Sequence, residues 1–121
     1  MHGACDYTVI NQGKLETGAD GSLQKPISFS LGSNAVLNVH SILTFTVGVS
    51  GGPVDIKITM NQQGVASYHL TDGYFSAVNK VIGGGILRHG TNHLQFNLVA
   101  EDYVYMYVED VAIWWFKNSL E

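Results

Sequence analysis

Leu87-Arg-His-Gly-Thr-Asn-His-Leu-Gln-Phe-Asn-Leu-Val99, then Ala-Glu-Asp, then Tyr103-Val-Tyr-Met-Tyr-Val-Glu-Asp-Val-Ala-Ile-Trp-Trp-Phe116 carries the strongest structural signal in the chain. Leu94, Phe96 and Leu98 alternate with His93, Gln95 and Asn97, the period-2 pattern of a half-buried strand. Gly90 stands before it where a turn needs positive φ, and Asn92 can bond the local backbone. The second run is rich in aromatic and β-branched residues, which favour strands. Both runs are expected in the middle of a β-sandwich.

Their neighbours fit the same plan. Leu43, Phe45, Val47 and Val49 share one face of a strand against Thr44 and Thr46, and Gly51-Gly52-Pro53 ends it. Val54, Ile56, Ile58 and Met60 then alternate with Asp55, Lys57 and Thr59, and Asn61 to Gly64 supplies turn chemistry before a partner strand over Val65 to Leu70. Ile27, Phe29 and Leu31 mark another strand, Asp6 to Ile10 a short first one, and Asn11 to Lys25 a loop. Ala35 to Val39 fits a strand or a loop edge. Phe75, Val78 and Ile82 recur at helical spacing, but Gly83-Gly84-Gly85 cannot continue a helix cheaply. Thr71 to Gly85 is therefore read as a strand or short turn crossing one end of the sandwich. About eight short strands broken by glycine-rich turns give an all-β antiparallel β-sandwich of jelly-roll type.

Composition bounds the function. The 121 residues suit one domain, expected over 1–119, with Leu120-Glu121 read as a vector-derived scar. Hydrophobic residues make up 45% and charged ones 13%, so the chain has material for a core. A surface left to Ser, Thr, Asn, Gln and Gly is a habit of extracellular β-proteins. A net charge of -4 with six scattered cations excludes nucleic acid as the expected partner. No apolar run approaches the ~20 residues of a membrane span. Cys5, the only cysteine, can form no internal disulfide.

Three segments carry a resemblance. Val54-Asp-Ile-Lys-Ile-Thr-Met-Asn61 with Gly64-Val65, then Leu87-x-x-Gly90-x-Asn92-x-Leu94-x-Phe96, then Val108-x-Asp110-Val111-x-x-Trp114 follow an order similar to galactose-binding-like jelly-roll modules. Those modules accompany glycoside hydrolases and polysaccharide lyases. The resemblance covers roughly Ser41 to Phe116 and implies a jelly roll, often carbohydrate binding, and in some members a structural calcium. No binding-loop motif matches residue by residue.

Candidate chemistry is sparse. His89 and His93 have a spacing that serves a metal from one helix face, which Gly90 and a strand start preclude. Glu101-Asp102 and Glu109-Asp110 flank one strand, more than roughly 20 Å apart at its usual rise, too far to share a calcium ion or to act as paired glycosidase carboxylates. They read as strand ends or a bulge. No Gly-x-Ser-x-Gly elbow and no phosphate loop occurs. No catalytic residue and no cofactor is expected.

The aromatic supply of six Tyr and two Trp, with abundant Asn and Gln, suits sugar rings and hydroxyls. Tyr103, Tyr105 and Tyr107 share one side of their strand, roughly 6.7 Å apart, with Val104, Met106 and Val108 on the core side. Unbroken parity would put Val111, Ile113 and Trp115 outside with the tyrosines. A bulge at Glu109-Asp110 would bury them and leave Trp114 outward. Tyr103, Tyr105, Tyr107 and Trp114 are thus the expected carbohydrate contacts of a non-catalytic binding module. The alternative is an assembly domain whose aromatic face packs against another chain, including a second copy of its own.

Overall fold

The computed structural model describes residues 2–16, 26–100 and 104–119. Among these the chain runs as β1 (His2–Glu16), β2 (Ile27–Leu31), β3 (Ala35–Val36), β4 (Ser41–Ser50), β5 (Val54–Met60), β6 (Gln63–Leu70), β7 (Phe75–Ile82), β8 (Gly90–Ala100) and β9 (Tyr105–Ser119). The long strands form two four-stranded antiparallel sheets, ordered β1-β9-β4-β7 and β2-β8-β5-β6, and the two-residue β3 adds to β9. The pairing is nested: β1 with β9, β2 with β8, β4 with β7, β5 with β6. That is a long hairpin folded over on itself, the jelly roll.

The alternating residues of β4, β5 and β8 meet between the sheets as expected. Leu43 and Val47 face Ile56, Ile58, Met60, Leu94 and Phe96, all essentially without solvent contact. Phe45 of one sheet meets Phe96 of the other edge-to-face, ring centroids 5.5 Å apart. β8 lies between β2 and β5, and β9 between β1 and β4, so both are interior strands. Gly90 has φ +84°, the left-handed turn conformation anticipated for it.

β9 settles its own parity through a bulge. Asp110 has φ +54°, and the register with β4 steps two residues (Thr44 to Thr46) while β9 steps three (Ala112 to Glu109). Val104, Met106 and Val108 point inward before it, and Val111, Ile113 and Trp115 after it. Trp115 sits at the core edge and donates from its indole N–H to Thr8 Oγ1 at 3.0 Å.

Three elements differ from the sequence reading. β1 continues through Asn11 to Glu16, because the far half of β9 offers it a backbone ladder beyond the bulge. Ala35 to Val39 contributes only the two residues of β3. Thr71 to Gly85 holds an eight-residue edge strand along β4, where the expectation had it crossing an end of the sandwich.

Candidate functional site

The two outer faces of the sandwich differ sharply. β2, β8, β5 and β6 turn Ser28, His93, Gln95, Asn97, Asp55, Lys57, Thr59 and His69 outward. The β1-β9-β4-β7 face is aromatic and aliphatic. Of the large hydrophobic side chains exposed among the described residues, all but Val39 project from it. Exposed apolar side chains gathered on one face in this way mark an interaction site.

One row crosses the whole sheet. Tyr7 pairs with Trp114, Trp114 with Ile42, and Ile42 with Val81. Their exposures are 54%, 40%, 40% and 54%. The Tyr7 and Trp114 rings lie 4.9 Å apart at 33°, and the indole N–H of Trp114 donates to Thr44 Oγ1 at 3.3 Å. That bond fixes the ring's direction. Cys5, Ile42, Thr44, Asn79 and Trp114 border an open hollow of about 350 Å³.

A second row crosses nearer the start of β9. Glu16 pairs with Tyr107, Tyr107 with Gly48, and Gly48 with Phe75. Gly48 is there because Tyr107 lies across it: a Cβ would stand 2.5 Å from the ring. The Lys14 ammonium sits 4.4 Å from the centroid of the same ring. Tyr105 is tilted 42° to Tyr107 with centroids 6.0 Å apart. Its hydroxyl donates to Glu16 Oε1 at 3.0 Å. Partial burial, and then this bond to Glu16, hold the Tyr105 phenol above its ordinary pKa. Gly48, Ser50, Gly73, Tyr74, Phe75, Tyr105 and Tyr107 enclose a groove of about 170 Å³.

The predicted residues therefore separate. Tyr105 and Tyr107 are neighbours but not coplanar, and Tyr107 is half-buried with Gly48 and Lys14 already against it. Trp114 shares their face but lies roughly 20 Å along β9, allowing ~3.3 Å per residue and one residue in the bulge. Tyr103 lies outside the described residues. Between the two rows runs a polar strip of Thr44, Thr46, Asn79 and Glu109. Sequence reasoning missed Tyr7, Ile42, Phe75 and Val81. Their signal was a second apolar face on β1, β4 and β7, visible only once the strand partners are known.

The two histidines flagged by spacing are engaged separately. His89 Nε2 donates to the Ala35 carbonyl at 2.8 Å, and His93 Nδ1 shares a hydrogen bond with Ser28 Oγ at 3.1 Å. Glu109-Asp110 is the bulge, and Glu101-Asp102 lies outside the described residues.

No protein-family model matches the chain, and no curated protein matches its sequence. Solved structures match its fold. The C-terminal domain of the sugar-binding protein EclA aligns with a TM-score of 0.54 at 10% identity, covering 93% of this chain and 79% of that one. The CBM22-1 xylan-binding domain of Xyn10C from Paenibacillus barcinonensis aligns at 0.50 and 18% identity, covering 97% and 83%. The chain has the jelly-roll fold of the carbohydrate-binding modules. Dimeric latent PorU from Porphyromonas gingivalis contains the same fold, with a TM-score of 0.68 and 11% identity over 96% of this chain. This jelly roll spans 13% of the PorU chain's length. At such identities the likeness is one of fold.

Proposed function

We propose that the chain is a non-catalytic carbohydrate-binding module whose ligand lies along the outer face of the β1-β9-β4-β7 sheet. The observation that carries this reading is the exposed Trp114–Tyr7 ring pair, oriented by Thr44, on a face that ends in a second aromatic row at Tyr105. Aromatic rings receive the apolar faces of sugars, and Thr44, Thr46, Asn79 and Glu109 between the rows offer partners for hydroxyls. A ligand touching both rows has to reach roughly 20 Å to Tyr107 and roughly 26 Å to Tyr105, so an oligosaccharide chain fits and a single sugar does not. Two fold neighbours are described as sugar-binding and xylan-binding, which supports the class of ligand.

One observation favours a second reading. Ile42, Val81, Val9 and Phe116 surround Trp114 with apolar surface that bonds no hydroxyl, as a protein-docking face would. A glycan array together with light scattering separates the two. Reproducible hits on one glycan class from a monomer support the module. Silence across the array with a dimer or trimer supports assembly through the same face.

A further inference from the structure

On the opposite face of the sandwich, a hollow of about 480 Å³ lies at the tip of the β5–β6 hairpin, lined by Pro26, Thr59, Asn61, Gln62, Arg88, His93 and Gln95. We propose that it binds a small hydroxylated anion, with a carboxylate or sulfate group on Arg88 and hydroxyls on the flanking amide and Thr59. The inference is independent of the reading of the aromatic face.

The wall that carries Arg88 is built rigidly. Asn92 is fully buried, and its carboxamide clamps the Arg88 backbone twice: Arg88 N–H donates to Oδ1 and Nδ2 donates to the Arg88 carbonyl, both at 2.9 Å. Asn61 Nδ2 donates to the same Oδ1 and to the Ile86 carbonyl, each at 2.8 Å. Asn61 also exchanges bonds with the His93 backbone, its N–H donating to the carbonyl at 2.8 Å and its Oδ1 accepting at 2.9 Å. Two buried amides thus lock hairpin, loop and β8 together and fix the backbone from which the Arg88 side chain reaches the rim. Pre-organisation of this kind is what lets an exposed cation hold an anion.

Strain points to the same place. The hairpin turns through Asn61 and Gln62 with φ +53° and +69°. Positive φ at both central residues is the type I′ turn, whose usual second residue is glycine. Gln62 instead holds a side chain on the hollow at the cost of a left-handed backbone, the sort of outlier that accompanies binding sites.

The electrostatics agree. Among the described residues Arg88 makes no ion pair, in a chain whose net charge is -4. Asp55, the carboxylate on this face, is hydrogen-bonded to His69 at 2.6 Å and lies four residues along β5 from Thr59, roughly 13 Å away. Among the described residues that line the hollow none carries a carboxylate, and a guanidinium prefers a forked oxyanion.

The test is an amide-resolved NMR titration of the full chain with sodium gluconate, sodium sulfate, sorbitol and, at matched ionic strength, sodium chloride. Saturable shifts at Thr59, Gln62 and Arg88 to Gln95 are expected with gluconate or sulfate, and none with sorbitol or chloride. The more tightly bound anion says whether carboxylate or sulfate is preferred. Arg88→Gln should raise the apparent Kd about tenfold or more with the melting temperature unchanged, and Arg88→Lys should recover part of the loss. Gln62→Gly relieves the turn and should weaken binding while raising stability. Shifts with sulfate and gluconate no larger than with chloride, or Arg88→Gln binding as the parent does, would overturn the proposal.

Discussion

Gly48→Ala probes the second aromatic row by asking whether Tyr107 needs the space that glycine leaves. The added Cβ would stand 2.5 and 2.6 Å from two ring carbons of Tyr107 and 2.7 Å from its hydroxyl oxygen. Carbon contacts settle near 3.5–4.0 Å, so the ring has to retreat by about 1 Å or more. That loosens its contacts with Lys14 and Tyr105. The atoms met are the far end of a half-exposed side chain that can swing outward, so the cost sits at the low end of overpacking, about 1 kcal/mol. In a Tyr107→Ala background the obstruction is gone, and alanine should outperform glycine inside a strand by about 0.5–1 kcal/mol. The substitution therefore changes sign between backgrounds, with a coupling of about 1.5–2 kcal/mol. Urea midpoints for the parent, the two single variants and the double variant close the cycle. An identical Gly48→Ala cost in both backgrounds would show that Tyr107 does not lie across Gly48.

Ile58, with no solvent contact, should cost about 2–5 kcal/mol when cut to alanine, and an unchanged denaturant midpoint would place it outside the core. Gly90 has open space around a Cβ but φ +84°, so Gly90→Val should lose about 1–2 kcal/mol from backbone conformation alone. Gly90→Asn should lose less, and equal losses would refute that origin. The Tyr105 phenol should ionise above its ordinary value of 10.0. Glu16→Gln removes a neighbouring negative charge that opposes ionisation, so it should lower that pKa in an alkaline NMR titration.

The fold was largely legible because β4, β5 and β8 each turn a run of alternating apolar side chains inward, so alternation alone identifies them. β9 was legible only up to a choice. Alternation gives one parity before Glu109 and the opposite one after Asp110, and the bulge between them depends on how β1 and β4 take up the extra residue. The polar half of β1 read as loop because its pairing energy comes from a partner about a hundred residues away, not from its own composition. β7 misled through Phe75 and Val78, whose helical spacing arises from residues on opposite faces of an edge strand. The site was half legible. Outward tyrosines and Trp114 follow from parity, whereas their division into two rows, the Gly48 seat of Tyr107 and the contribution of Tyr7 are long-range facts of register.

Calorimetry of the parent and Trp114→Ala against a glycan identified on the array tests the carbohydrate reading most directly. Trp114 sits at the centre of the exposed row, where truncating a binding tryptophan typically removes about 2 kcal/mol or more, a loss of roughly thirtyfold in affinity. The account predicts that loss in a variant that still unfolds cooperatively. Equal affinities for the two proteins, or a folded parent that binds no glycan at all, would contradict it.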